Sequence, residues 1–214
     1  MTKYPFVKTV RLGGALFVGT LIGCAAPPPQ GGPTPSAGAS EGGSGTLDGM
    51  LQRDLAKDYA FPWSATRPLT WNDFQGRPPA EGPEAAKTAY TLYSVWKCRG
   101  EAFEFRVMVA FRPRASWVRT LVLKDTVQRR TVLAHEQTHF DLAEVHARKM
   151  RQAFRHVTDP CRNMDAVVGA LADRLAQEEK VEQRRYDTET YHGLRTEQQR
   201  AWTLETHRRL AVSR

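Results

Sequence analysis

The motif His-Glu-Gln-Thr-His at residues 135–139 constrains this chain most, because it lies inside a long, uninterrupted helical pattern. Neither Gly nor Pro occurs between residues 124 and 158. Residues four apart lie on one face of a helix, so His135 and His139 point in the same direction. From Leu133 onward, positions recurring at steps of three and four mark the face expected to pack inward: Glu136, Phe140, Ala143, Ala147, Met150 and Phe154.

This spacing also suits a metal. Two imidazoles four residues apart on a helix can bind one zinc ion, and Glu136 can contact a water held at that ion. We therefore predict that His135 and His139 are zinc ligands and that Glu136 is a catalytic base. The alternative is a polar, solvent-facing helix on which the motif is incidental.

A catalytic zinc site needs a third protein ligand and one open position. His146 lies about 10 Å further along the helix axis than His139, so it cannot reach the same ion. We predict His192 as the third ligand, because it stands beside Gly193 at a helix break, where a side chain can enter a pocket. The alternatives are Glu178, Glu182 and Glu189.

Further residues could assist the chemistry. Tyr186 or Tyr191 could donate a hydrogen bond to a tetrahedral oxyanion, although a buried structural tyrosine is the alternative role. Asp141 or Asp187 could orient a ligand imidazole from behind, as metal-bound histidines generally require, or could be a surface carboxylate.

Two alternating segments predict a β-hairpin. Residues 88–98 and 103–111 are rich in aromatic and β-branched residues and alternate in the manner of strands. The short link at residues 99–101 predicts that they pair, with the Phe/Val face of the second strand covered by the motif helix. A further short strand is expected near residues 69–71.

Two more helices are expected after the motif helix. Pro160 ends that helix, and Asn163 or Asp165 can cap the next one, which runs to about Tyr186. A last helix at residues 197–211 is expected to pack through Trp202, Leu204 and Leu210. The predicted class is α+β, with a small antiparallel sheet packed on the motif helix plus two further main helices.

The N-terminal region predicts export. Residues 1–23 have basic residues followed by an apolar run too short for an ordinary membrane span, which indicates a signal peptide; an uncleaved anchor is the alternative. The tract ending in Cys24 resembles a bacterial lipobox, which implies lipidation at Cys24, and Ala25 resembles the pattern of outer-membrane lipoproteins. Residues 24–49, rich in Pro, Gly and Ser, predict a disordered tether, followed by one domain at 50–214.

Cysteine content and charge add two expectations. Once Cys24 carries lipid, Cys98 and Cys161 remain, and we predict a disulfide between them because the compartment permits it; a cysteine ligand to zinc is the alternative. The formal charge falls from +8 to +5 when the basic residues of the leader are removed. Nucleic acid is not an expected partner, since no recognition motif is present.

The chain resembles a bacterial family of predicted secreted zinc-dependent proteases that is catalogued as a domain of unknown function. The resembling tracts are residues 133–144 around the motif, residues 69–76, Ser116 with Trp117, and residues 186–193 followed by Gln199 and Trp202. The resemblance implies a zincin-like fold and a peptidase activity, and it supports His192 as a ligand.

The predicted function is therefore a lipid-anchored zinc metallopeptidase on the periplasmic face of the cell envelope, at the outer membrane. Its substrate would be a peptide or protein, hydrolysed by a zinc-bound water that Glu136 activates. The alternative is a non-catalytic envelope lipoprotein that uses zinc structurally or binds a partner.

Overall fold

A computed structural model describes residues 8–14 and 46–212 of the chain. Residues 1–7 and 15–23 of the predicted signal peptide, the predicted lipidation site Cys24 and residues 24–45 of the predicted tether lie outside the described residues. Within them, an antiparallel sheet and five helices confirm the α+β class. The order of elements is β1 (Lys8–Gly14), α1 (Leu47–Asp58), β2 (Phe61–Pro62), β3 (Ala86–Lys87), β4 (Tyr90–Arg99), β5 (Ala102–Phe111), β6 (Trp117–Val118), α2 (Thr120–Lys124), α3 (Thr126–Arg155), α4 (Ala170–Thr190) and α5 (Thr196–Val212).

The main sheet has the order β1-β4-β5-β2, with every neighbouring pair antiparallel. β4 and β5 form the predicted hairpin, in register from Tyr90 opposite Phe111 to Arg99 opposite Ala102. Gly100 in the connecting turn has φ +62°, a conformation that glycine adopts at no steric cost. β3 and β6 form a separate two-stranded sheet.

The predicted inward face of the motif helix is confirmed. Phe140 and Phe154 of α3 are each 1% exposed and pack on one face of the hairpin. The ring of Phe140 lies 5.7 Å from that of Phe111, and the ring of Phe154 lies 5.7 Å from that of Trp96. Because replacing such a buried phenylalanine with alanine costs about 3–5 kcal/mol, this contact fixes α3 firmly on the sheet.

The opposite face of the hairpin is covered by α1, which the sequence analysis did not predict. Leu47, Leu51 and Leu55 recur every four residues and pack against Tyr93 and Val95. The Thr46 side chain accepts a hydrogen bond from the Gly49 backbone nitrogen at 3.0 Å, which caps the start of the helix. Helical structure therefore begins at Leu47, within the segment predicted as tether.

The prediction of a strand near residues 69–71 is wrong. Trp71–Asp73 is a short 3₁₀ turn. Its cause is Asp73, whose carboxylate accepts hydrogen bonds from the Thr70 backbone nitrogen at 2.7 Å and hydroxyl at 3.0 Å, a local arrangement that competes with strand pairing. The strand beside β5 is instead β2.

The remaining helices and the disulfide agree with the sequence-based predictions, apart from small differences. A π-helical turn at Asp165–Gly169 leads into α4, which continues four residues past Tyr186. Leu204 of α5 was expected to pack inward but is 64% exposed, because α5 docks through polar side chains. The disulfide between Cys98 and Cys161 is confirmed. None of the helices in the described ranges is long and apolar enough to cross a membrane.

Candidate metal centre

Three potential ligand atoms from α3 and α4 converge at one point. The Nε2 atoms of His135 and His139 lie 3.1 Å apart, as expected for imidazoles one helical turn apart. Asp187 of α4 places Oδ1 3.2 Å from His135 Nε2 and 3.0 Å from His139 Nε2. Among the residues that the structure describes, these three form the group whose side chains are close enough together to hold a metal ion.

His135 Nε2, His139 Nε2 and Asp187 Oδ1 form a triangle of donor atoms that fits a zinc ion. Zinc binds nitrogen and oxygen at about 2.0–2.2 Å, so donors around a tetrahedral ion lie roughly 3.3–3.6 Å apart. The three separations, 3.1, 3.2 and 3.0 Å, are slightly shorter, so small side-chain movements would admit the ion. The side chains of His139 and Asp187 are 14% and 17% exposed, so solvent reaches the centre.

The electrostatics of the triangle favour positive charge. Burial alone lowers the pKa of His139, but the hydrogen bond and the charge of Asp187 outweigh it and raise that pKa to about 9. Burial alone raises the pKa of the Asp187 carboxyl, but the hydrogen bonds and charges of His135 and His139 hold it well below its usual range. The centre therefore attracts a cation, and Asp187 is ionised at neutral pH.

Two glutamines support the imidazoles from behind. Gln183 of α4 places Oε1 2.6 Å from His139 Nδ1, and Gln199 of α5 places Oε1 2.9 Å from His135 Nδ1. Sequence reasoning assigned neither residue a role. Gln183 stands four residues before Asp187, so the spacing of α4 carries a signal that could have placed both on one face.

Glu136 directly follows His135 on α3. Its backbone oxygen accepts a hydrogen bond from the Thr88 hydroxyl at 3.2 Å. The residue is 4% exposed, and no hydrogen bond or ion pair of its carboxylate is found among the described residues. Its charge contributes to the raised pKa of both His139 and Tyr186. A carboxylate so placed is available to accept a proton.

The turn between α4 and α5 lies against His135. Tyr191, His192 and Gly193 all have positive φ, at 49°, 53° and 83°. A Cβ atom on Gly193 would lie 3.1 Å from the Cβ and Cγ atoms of His135, so only glycine fits without displacement. His192 Nδ1 lies 3.6 Å from Asp187 Oδ1, and its side chain is 70% exposed. The structure thus places Asp187 in the triangle and His192 beside it at the rim.

The three glutamates proposed as alternative ligands lie outside the triangle. Glu178 pairs with Lys149. Glu182 accepts hydrogen bonds from His146 and Arg209, and Glu189 accepts them from Arg185 and Trp202. Each carboxylate therefore already has a cationic or hydrogen-bonding partner of its own.

The two tyrosines occupy different environments. Tyr186 is fully buried and stacks on His135, with ring centroids 4.7 Å apart. Its hydroxyl donates towards Gln199 Oε1 at 2.7 Å and the His135 backbone oxygen at 3.2 Å, so its single proton is used within the site. Burial raises the pKa of Tyr186 well above its ordinary value, which keeps it protonated. Tyr191 is 60% exposed at the rim.

Asp141 does not contact a ligand imidazole. Its Oδ1 accepts hydrogen bonds from Trp63 Nε1 at 2.8 Å and Gln137 Nε2 at 2.9 Å. Gln137 Oε1 in turn accepts from the Leu69 backbone nitrogen at 2.7 Å. Asp141 therefore holds the segment after β2 onto α3. Of the two aspartates proposed to orient an imidazole, Asp187 is the one that meets both histidines.

Comparison with known proteins identifies the family. A family model described as "Bacterial protein of unknown function (DUF922)" matches residues 78–193, more than half of the 214 residues. Neither the curated proteins nor the solved structures give a significant match. The match covers the hairpin, α3 and α4, and therefore all three members of the triangle, and the chain belongs to this family of bacterial proteins of unknown function.

Proposed function

We propose that the protein is a zinc-dependent metallopeptidase with His135, His139 and Asp187 as metal ligands and Glu136 as the catalytic base. One observation carries this proposal: three donor atoms lie within 3.2 Å of one another, and Glu136 directly follows one of the residues that supply them. Three protein ligands leave one tetrahedral position open, as catalytic zinc sites require. The helix-borne motif, shared with zincin-type peptidases, supports the same proposal.

The roles of the chain's own residues follow from their positions. Zinc, when bound, would supply a Lewis acid and a water of lowered pKa. Glu136 accepts a proton from the attacking water and returns it to the leaving amine. Tyr186 and the two glutamines hold the imidazoles in place. Tyr191, at the exposed rim, is the tyrosine free to reach an oxyanion on a bound substrate.

The first experiment tests the base. Glu136→Gln should retain stoichiometric zinc, measured by metal analysis, but should lose at least about a hundred-fold in hydrolysis of dye-labelled denatured casein. Glu178→Gln is the matched control, since Glu178 pairs with Lys149 away from the triangle, and it should keep both properties. Undiminished hydrolysis by Glu136→Gln would refute the assigned base. A zinc-free parent protein would refute the metal centre.

The second experiment tests the third ligand. Asp187→Ala should lower zinc affinity far more than His192→Ala, because only Asp187 Oδ1 lies within 3.2 Å of both ligand nitrogens. Affinity is measured by competition with a chromophoric chelator. A larger loss in His192→Ala would assign the third position to His192 instead.

One observation favours a second candidate function, a structural zinc site. His192 Nδ1 is 3.6 Å from Asp187 Oδ1, near enough that a small movement of the turn would add a fourth protein ligand. A site closed by four protein ligands lacks the position for water and is typical of structural zinc. X-ray absorption of the zinc-loaded protein distinguishes the two, since a peptidase site requires three protein donors and a water.

We further propose that the mature protein is a lipoprotein of the cell envelope, anchored through Cys24 with its domain on the periplasmic side. Cleavage before Cys24 would remove β1 and leave β4 at the edge of the main sheet. The lipobox-like tract ending at Cys24 supports this proposal. Cys24→Ser should move the protein from the detergent phase to the aqueous phase in a phase-partition assay, whereas Ala26→Ser should not. Partition of Cys24→Ser with the parent protein would refute the anchor.

A further inference from the structure

The amide of Gln183 has its orientation fixed by a single residue, His139. Gln183 Nε2 lies 3.0 Å from the His139 backbone oxygen, and Oε1 lies 2.6 Å from His139 Nδ1. A backbone oxygen only accepts hydrogen bonds, so the amide nitrogen must face it. The amide oxygen then faces the ring, and because it also only accepts, His139 Nδ1 must carry the proton.

The amide of Gln199 is oriented by the same logic. The Thr138 hydroxyl donates to the Ala134 backbone oxygen at 2.9 Å, so it accepts from Gln199 Nε2 at 3.4 Å. Gln199 Nε2 also lies 3.1 Å from the Thr203 hydroxyl. Gln199 Oε1 is left to accept from His135 Nδ1, which therefore also carries its proton.

We propose that Gln183 and Gln199 are positioning residues that keep the Nδ1 atoms of both imidazoles protonated, so that a bound cation meets both Nε2 lone pairs together with Asp187 Oδ1. The inference rests on the proposed metal function. Both glutamines are buried, so competing water is largely excluded from these hydrogen bonds. Uncharged amides here occupy the place where metal-bound histidines often contact a carboxylate.

The two positions differ in what they tolerate. A carboxylate at position 183 would set an oxygen against the His139 backbone oxygen, with no proton between them. A carboxylate at position 199 would face two donors on one side, His135 Nδ1 and the Tyr186 hydroxyl. On the other side it would lose the long 3.4 Å contact with the Thr138 hydroxyl, but the nearer Thr203 hydroxyl can rotate to donate. Only position 199 therefore accepts glutamate.

The test measures zinc affinity of the full chain by chelator competition. Gln183→Met and Gln199→Met should each weaken zinc binding about 10–100-fold, the usual range for residues behind metal ligands. Gln183→Glu should weaken it as well, whereas Gln199→Glu should bind zinc at least as tightly as the parent. Gln177→Met and Gln198→Met are controls at exposed positions on the same two helices, and they should be neutral.

The opposite response to the two glutamate substitutions separates positioning from packing, because a packing role would make both behave alike. Nitrogen-15 NMR of the zinc-loaded protein should also show protonated Nδ1 in both histidines. Parent-like affinity in Gln183→Met, or equal weakening in both glutamate variants, overturns this inference while leaving the metal function intact. Absence of zinc binding in the parent overturns the proposed function and this inference together.

Discussion

The backbone conformation of Gly193 determines how closely the turn between α4 and α5 can approach the His135 side chain. Gly193→Ala should destabilise the fold by about 1–3 kcal/mol and lower zinc affinity, because the new Cβ would lie 3.1 Å from His135 at φ +83°. Gly100→Ala is a matched control, since Gly100 has φ +62° but nothing within 4 Å of the added Cβ. Denaturant unfolding and chelator competition measure the two effects.

Both substitutions should therefore lower the free energy of unfolding, and only the one at position 193 should change zinc affinity. Equal zinc affinity in both variants would show that the turn does not determine where the His135 ring lies.

At the scale of single residues, the sequence predicted those members of the candidate site that lie on one helix. His135, Glu136 and His139 follow from spacing on one helix, whose period is fixed by backbone geometry. Asp187 was considered only as a support for an imidazole, and Gln199 only as part of a resembling tract. Their contacts depend on how α4 and α5 cross α3, which helical periodicity does not specify.

Glu182 joins three helices and makes stability depend on pH. On α4, it accepts a hydrogen bond from His146 of α3 at 2.6 Å and from Arg209 of α5 at 2.7 Å. Burial alone raises its pKa, but these two partners lower it from 4.5 to about 2. The stabilisation is therefore complete above about pH 4.5 and is lost as the pH falls towards 2.

Glu182→Gln should flatten this part of the stability curve, which denaturant unfolding between pH 2 and 7 records. The loss at neutral pH should be at most about 3.5 kcal/mol, from the usual 1.36 kcal/mol per pKa unit. Glu205→Gln removes a fully exposed partner of Arg208 on α5 and should leave the curve unchanged. An unchanged curve in Glu182→Gln would show that the three-helix contact contributes nothing to folding.

Docking of α5 should depend on zinc. The buried side chains of α5 are Gln199 and Thr206, both polar, whereas the apolar Trp202 and Leu210 are only partly buried, so apolar burial holds this helix less firmly than α3. Because Gln199 contacts His135, zinc that fixes His135 should also stabilise the docked helix. Hydrogen exchange should slow across Thr196–Val212 on zinc addition, whereas α1, on the other side of the sheet, serves as the reference.

Gln199→Met should remove this coupling while leaving exchange in α1 as it was. If zinc slowed exchange equally in α1 and α5, the effect would be global stabilisation and the specific coupling through Gln199 would be wrong.

Elements with a strong periodic signal were predictable, and those set by local polar contacts were not. The hairpin and α3 carry alternation and three-to-four spacing over ten or more residues, so burial enforces them. The sequence analysis did not predict α1. Its leucines recur every four residues, but the helix contains Gly49 and begins directly after a Pro/Gly/Ser-rich segment, and both features indicate a loop. Leu204 was misplaced because α5 turns a polar face inward.

Across the whole molecule, the proposed metal centre and the disulfide lie in different regions. The matched family region supplies the triangle, whereas Gln199 lies beyond it on α5. Cys98 closes the far end of the hairpin onto Cys161, in the connection between α3 and α4. His139 is sixteen residues before Arg155, the last residue of α3, which is roughly 24 Å along the helix axis. Events at the disulfide should therefore have little effect on the triangle.

Replacing both Cys98 and Cys161 with serine should lower the free energy of unfolding by about 4 kcal/mol, because the bond closes a loop of 63 residues. Zinc affinity should remain that of the parent, since the triangle is held by α3, α4 and α5. Denaturant unfolding and chelator competition on the same preparation separate the two quantities. Reduced parent protein should match the double variant in both. A fall in zinc affinity after the disulfide is removed would mean that the hairpin end and the metal centre form one cooperative unit.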